Sequence, residues 1–287
     1  MLFYGMDFLK GNEKKMNLEK ECVTLRNDRG YMKEAFKAIK LITLDLDGTL
    51  LTSDKRITSY NWGIIERCRK QGYLITVMSG RHADTLDKFN IPLVLDAPMV
   101  GANGAQIASA DGKTTLEGYY VEEKSAKALT NYLYAQGFEF WIRGIVGNEM
   151  EQYYRTGQQE TFAFDYAKTS KFNARHQDER KIQALKAFCQ AIQVEIFHTG
   201  GGMYEIGPKG ITKGTGLLRI CEILHLDARQ CLCIGDNDND VAAFQTAGIS
   251  VAMENASEKA KESAKYICGS NDEDGVGKFL EQYLLCE

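Results

Sequence analysis

The sequence predicts an α/β fold, a Rossmann-like parallel sheet interrupted by an inserted α+β segment, and three observations predict it. Apolar strand-like runs alternate with helix-like stretches before about residue 118 and again after Lys213, the rhythm of βαβ units. Several of those runs end in acidic, hydroxyl or glycine residues. Between them, from about Tyr119 to Tyr204, the pattern changes to aromatic strand-like runs and two longer helical ones.

The elements follow in order. LITLDLDGTL (41–50) is a β-branched apolar run ending in a turn, and NWGIIERCRKQG (61–72) is a helix closed by Gly72. YLITVMSGR (73–81) is a second strand, HADTLDKFN (82–90) a second helix stopped by Pro92, and VLDAPMVGANGAQIA (94–108) carries a third strand with a glycine-rich exit. In the middle stretch, helical patterns at 121–137 and 178–192 alternate with the strand-like runs FEFWIRGIV (138–146) and VEIFHTGGGMYEI (194–206). The earlier rhythm then resumes with a helix at 214–226, a strand at 230–235, a helix at 240–248, a strand at 249–253 and a final helix at 275–285. This divides the chain into an N-terminal extension (1–39), a first part of the core (40–118), the insert (119–206) and a second part of the core (207–287). The extension is weakly periodic and carries none of the chemistry below; Met32 reads as an alternative start.

Composition bounds the class. Apolar residues make up 44% and charged residues 26%, enough for a packed core. A formal net charge of -4, from 35 basic and 39 acidic residues, provides no general attraction to nucleic acid or anionic membranes. No apolar run approaches the ~20 residues of a membrane span, and the start of the chain lacks the apolar block of a signal peptide. Eight cysteines without a CxxC pair read as reduced core residues of a cytoplasmic protein. The expected partner is a small molecule, with no nucleic acid and no membrane, and the expected state is a monomer or weak homodimer.

Ligands of open α/β sheets sit at the carboxyl ends of the strands, so polar residues there carry the chemistry. Asp45 and Asp47 are two apart and point to the same side of the chain, Ser79 and Gly80 pair a hydroxyl with an approachable backbone, and GDNDND supplies Asp236, Asp238, Asn239 and Asp240. Each has a plainer reading alone: an Asp-Gly turn, a Ser-Gly turn, a helix N-cap cluster, and for Lys213 a solvated lysine at a helix start. Together they require coincidence at adjacent strand ends. Two carboxylates about 4 Å apart repel by roughly 4 kcal/mol at an effective dielectric of 20, so a gathered acid cluster calls for a cation. Hard oxygen ligands beside a phosphate suit Mg2+.

DLDGTL at 45–50, the serine of MSGR, the lysine of ITKGTGL and GDNDND at 235–240 resemble, in order, the four motifs of the haloacid dehalogenase (HAD) superfamily. NGA at 103–105, EIGPKGITKG at 205–214, AGISVAM and NDEDGV at 271–276 are similar, more narrowly, to the Cof-type phosphatases of that superfamily, which carry an inserted α/β cap domain. The resemblance runs from about residue 40 to the C-terminus. It implies magnesium-dependent hydrolysis of phosphate monoesters of small metabolites, such as sugar phosphates, pyridoxal phosphate or FMN, through an aspartyl-phosphate. Asp45 is then the nucleophile and Asp47 the general acid and base. The metal falls to Asp45, the backbone carbonyl of Asp47 and Asp236, with Asp240 close behind; Ser79, Gly80, Lys213 and Asn239 take the phosphate. Asp238 falls on a variable position and reads as surface.

The insert at 119–206 is on the short side for such a cap. Asn103, Trp141, Arg143 and Tyr153 are candidates to face the substrate, against the plainer reading of aromatics at strand spacing as core. Two other functions fit the same motifs: a phosphosugar mutase using the same aspartyl-phosphate, and a catalytically silent metabolite-binding module.

Overall fold

Leu41–Leu44 is buried at all four positions, the pattern of a strand covered on both faces. It is the central part of a computed structural model that describes residues 34–85, 95–146, 149–155 and 165–285, with the backbone alone at 145, 146 and 149–155. The chain divides into two units, Met1–Ala38 and Ile39–Glu287. Of the first, the described part is a helical turn at 34–37 with Lys37 3.6 Å from Glu34.

In the second unit β1 (Leu41–Leu44) is followed by α1 (Ser59–Lys70) and β2 (Leu74–Val77). Thr58 caps α1 by accepting from the Asn61 amide, the stripe Ile64, Ile65 and Cys68 is buried, and three cations in the last turn suit the negative end of the helix dipole. Next come β3 (Met99–Gly101), β4 (Gln106–Ala108) and β5 (Thr115–Gly118), then α2 (Glu123–Ala135), β6 (Glu139–Val146), β7 (Glu149–Arg155), β8 (Thr169–Arg175), α3 (Glu179–Ala191), β9 (Val194–His198) and β10 (Met203–Pro208). The chain closes with α4 (Lys213–Leu224), β11 (Cys231–Gly235), α5 (Val241–Thr246), β12 (Ile249–Met253), α6 (Glu258–Ser263), β13 (Tyr266–Cys268) and α7 (Gly275–Leu280).

Strands β13, β12, β11, β1 and β2 form one parallel sheet in that order. Leu44 is in register with Ile234 on one side and Val77 on the other, so the carboxyl ends of β11, β1 and β2 lie side by side. This is the expected doubly covered parallel core. The third strand of the reading, however, does not join that sheet. β3 reverses into β4 through Ala102 and Asn103, both at positive φ (49° and 57°), and β3, β4 and β5 make a small antiparallel sheet that touches the main one at the bridge between Met78 and Val100. Of the helix expected at 82–90, His82 is not helical, Ala83–Thr85 forms a single tight turn, and 86–90 lie outside the described residues.

A separate antiparallel sheet has the order β7-β6-β8-β10-β9. The run 194–206 is a hairpin rather than one strand, because Gly200, Gly201 and Gly202 all take positive φ between β9 and β10. Alternation decides the two faces of this sheet. Phe140 and Ile142 of β6, Phe172 and Ala174 of β8 and Ile206 of β10 pack with Leu129 and Leu133 of α2 and Leu185 of α3. Burying each large apolar side chain contributes about 1.5–3 kcal/mol, so one face anchors the layer and leaves the other free for polar residues.

Candidate active site

Asp45 directly follows β1, its amide donating to the Ile234 carbonyl at 2.9 Å, so the sheet ladder fixes the base of the side chain. Asp236 directly follows β11 on the neighbouring strand. One carboxylate oxygen from each of Asp45, Asp236 and Asp240 lies within 4.8 Å of the other two. Gly48 makes this gathering possible: at φ +82° it turns the chain under Asp236, where a Cβ would stand 2.4 Å from a carboxylate oxygen. Thr49 then donates to Asp236 Oδ1 at 3.0 Å.

Lys213, the first residue of α4, is fully buried and donates from Nζ to Asp45 at 2.7 Å and to Asp240 at 2.6 Å. Thr212 and Thr215 form a reciprocal cap that fixes this helix start. Burial opposes the charge on Lys213, but the two carboxylates outweigh it and hold the ammonium well above its ordinary range. Asp240 is fully committed: Oδ1 accepts from Lys213, and Oδ2 accepts from the amides of Asp236 and Asn237 at 3.0 Å each. It shapes the Asp236 loop and holds Lys213.

The acids are under strain of charge. Burial raises Asp45 well above the usual carboxylate range, with Asp240 and Asp236 adding repulsion against the pull of Lys213. Burial and then Asp240 push Asp236 up to about 7. Two buried carboxylates and a partly buried third against one lysine leave an excess of negative charge on hard oxygen donors, which fits Mg2+. Asp45 and Asp236 are the side chains with oxygens to offer.

Asp47 differs. Burial would raise it, but hydrogen bonds from Arg81 and Lys55 prevail and hold it down at about 2. Arg81 grips Asp47 through Nε and through Nη2 at 2.8 Å, and Lys55 Nζ donates at 2.7 Å. Ser79 follows β2, with its amide bonded to Val100 at 2.9 Å and its hydroxyl accepting from the Arg81 amide at 3.1 Å. The space over Gly80 belongs to a protein group, since a Cβ there would meet Glu205 Oε2 at 2.5 Å.

Glu205 belongs to a buried chain of polar contacts. Lys171 of β8 donates to Glu205 and to the Gly80 carbonyl at 2.6 Å; Asn103 donates to Glu205 at 2.6 Å; Asn239 donates to Asn103 at 2.9 Å. Asn239 therefore spends one amide proton on Asn103 and has a second for a ligand. His82 meets Ser170 of β8 at 2.8 Å. Asp45, Asp47, Ser79, Gly80, Asp236 and Asn239 line one crevice of about 290 Å³ together with Lys55, Arg81, Thr199 and Glu205. Lys213 and Asp240 stand behind it. Asp238 is partly exposed and accepts from Ser257 at 2.8 Å, away from this group. Trp141 and Arg143 line a neighbouring cavity, and the side chain of Tyr153 lies outside the described residues.

Arg81, Lys55, Glu205 and Lys171 were not anticipated as site residues. Arg81 and Glu205 fall inside the motifs already quoted, so a signal existed. Lys171 had none, since no strand is read from the sequence over 169–175.

The sequence profile of the haloacid dehalogenase-like hydrolases matches residues 42–280. The chain belongs to that family and is an enzyme, a hydrolase of the phosphatase kind for which its relatives are named. A 5-amino-6-(5-phospho-D-ribitylamino)uracil phosphatase of Bacillus subtilis is 26% identical over 250 residues, covering 86% of this chain and 96% of its own. A pyridoxal phosphate phosphatase of Escherichia coli is 28% identical over 273 residues, covering 86% and 99%. In fold, a haloacid dehalogenase-like hydrolase from B. subtilis matches with a TM-score of 0.74 at 23% identity over 86% of this chain and 100% of its own. A subclass IIB sugar phosphatase matches with a TM-score of 0.70 at 20% identity over 86% and 100%.

Proposed function

We propose that this protein hydrolyses phosphate monoesters of small metabolites, with Asp45 as the nucleophile. The observation that carries the reading is the Asp45 carboxylate, held by Lys213 beside Asp236 in the wall of a crevice lined by hydroxyl, amide and cationic groups. Phosphoryl transfer asks mainly for positioning and for neutralisation of the equatorial oxygens. Ser79, Asn239 and Lys213 would hold those oxygens. Asp45 attacks phosphorus, the alkoxide leaves, and water then cleaves the aspartyl-phosphate. Asp47 protonates the alkoxide and afterwards takes a proton from the water. To do so it must be released by Arg81 and Lys55; both line the crevice, where an incoming dianionic phosphate competes for them. Asp45, Asp236 and the backbone carbonyl of Asp47 would hold Mg2+, which when bound supplies charge neutralisation to the transferring group.

Residues 119–206 are proposed as a cap and 40–118 with 207–287 as the catalytic core. The substrate classes that the relatives' names suggest are 5-amino-6-(5-phospho-D-ribitylamino)uracil, pyridoxal phosphate and sugar phosphates. Among the described residues no helix is long and apolar enough to cross a membrane, and the six described cysteines are free and buried. The test is a phosphate-release screen over several dozen phosphorylated metabolites with Mg2+ present. Release from a defined subset supports the reading, and release from none overturns it.

A further inference from the structure

The side chain of Asn239 lies in the crevice wall and is buried, yet little holds it in one orientation. Its amide nitrogen donates to Asn103 Oδ1 at 2.9 Å, and its own Oδ1 is buried without a hydrogen-bond partner among the described residues. The oxygen end therefore gains nothing from staying where it is, and the bond to Asn103 decides which end of the amide faces which way. Asn103 is buried too, and its amide nitrogen donates to Glu205 Oε2 at 2.6 Å.

We infer that Glu205 and Asn103 are positioning residues for the phosphate-holding amide of Asn239. The Glu205 carboxylate fixes the polarity of the Asn103 amide, and Asn103 holds Asn239 so that its second N–H, and not its oxygen, is offered to phosphate. The inference rests on the phosphatase reading and deepens it by naming what orients the phosphate site.

A carboxylate only accepts, so the Asn103 atom against Glu205 is nitrogen and the atom left for Asn239 is oxygen. That oxygen also only accepts, so the Asn239 atom against it is nitrogen. Reversing Asn103 sets its oxygen against the Glu205 carboxylate; reversing Asn239 alone sets oxygen against oxygen. Burial would raise the Glu205 carboxyl, but Lys171 and the amides of Asn103 and Asn173 outweigh it and hold the group below its ordinary range, in the accepting form. Lys171 and Asn173, the latter at 3.2 Å, both occupy Glu205 Oε1, which leaves Oε2 to Asn103. The backbone of Asn103 is fixed as well: its N–H donates to the Ser79 carbonyl at 3.1 Å, and its φ of 57° is one that asparagine tolerates. Glu205 lies on β10, and Lys171 and Asn173 lie on β8, so the amide that meets phosphate takes its orientation from the antiparallel sheet of the insert.

The test is a double-mutant cycle read as kcat/KM for phenyl phosphate with Mg2+, on variants shown to be folded by circular dichroism. Asn103→Gly removes the relay at a position where glycine takes positive φ without strain; it should lower kcat/KM by about tenfold or more, and Asn239→Ala by a similar factor. In the Asn239→Ala background, Asn103→Gly should change kcat/KM by no more than about twofold, because its effect runs through Asn239. A general loosening of the structure would lower the rate again. The paired change Asn103→Asp with Glu205→Gln exchanges donor and acceptor at their contact and still presents an acceptor to Asn239, so it should recover most of the loss seen in Asn103→Gly. Undiminished kcat/KM in Asn103→Gly, losses that multiply in the double variant, or a folded exchange pair as slow as Asn103→Gly would overturn the inference while leaving a phosphatase. A wild type that releases no phosphate from phenyl phosphate or from any ester of the screen would overturn the phosphatase reading and this inference with it.

Discussion

The crevice at the strand ends and the polar face of the cap sheet both present buried charge, yet they are assembled by opposite means. In the crevice Asp45 and Asp236 each sit one residue past a strand end, so β1 and β11 deliver them as immediate neighbours. On the cap sheet, Lys171 reaches Glu205 across 34 residues and the Gly80 carbonyl across 91, contacts that depend on strand register and on closure of the sheet over the core. The crevice acids stand at strand ends that one sheet ladder sets side by side, whereas the groups of the sheet face meet partners on a different layer. Substitution should therefore hit chemistry in the first region and stability or selectivity in the second.

The largest effect is expected at the nucleophile. Asp45→Asn should keep the fold, as judged by circular dichroism and thermal melting, and lose about four orders of magnitude or more in kcat, because an amide does not attack phosphorus. Next comes the buried pair of the cap face. Lys171 and Glu205 are 7% and 12% exposed, so Glu205→Gln strands a buried ammonium and should cost about 3–5 kcal/mol in denaturant unfolding. Adding Lys171→Met to that variant should recover most of the loss, which a defect unrelated to charge would not allow.

A smaller change is expected from the metal. Magnesium at a hundredfold excess over its Kd should stabilise the wild type by about 2–3 kcal/mol, and Asp236→Asn should remove most of that gain. An equal gain in both proteins would separate the acid cluster from metal binding.

The smallest is a pH effect at the contact between the two regions. Burial, followed by the charges of Lys171 and Arg143, holds His82 well below its ordinary 6.5. Below about pH 6.5 the unfolded chain then binds the proton that the folded protein refuses, so stability falls as pH falls, by up to about 1.4 kcal/mol per unit. His82→Gln should flatten that slope between pH 7 and 5 relative to the wild type; parallel slopes would contradict the assignment.

The same contrast explains what was legible beforehand. The parallel core and the acids at its strand ends could be read because apolar runs and terminal polar residues are local signals. Asp45, Asp47, Ser79, Asp236, Asn239 and Asp240 are found around one crevice for that reason. The β3–β5 sheet was not read because Asn103-Gly104, a hairpin signal that turns here with both residues at positive φ, was taken for the exit of a third parallel strand. Lys171 was not legible because TSKFNAR, with Phe172 as its one large apolar residue, shows no strand-like apolar run. Glu205 was visible as part of a motif, but its partners lie on β8 and in the Asn103 turn, far apart in sequence.

The most direct test of the central claim is to mix enzyme, Mg2+ and a turned-over ester, quench in acid within a single turnover, and map phosphoryl groups by peptide mass spectrometry. A phosphoryl group on the peptide carrying Asp45, formed and lost at rates that support turnover and absent from Asp45→Asn, is the predicted result. An undiminished rate in Asp45→Asn, or a competent phosphoryl group on another residue, would contradict it.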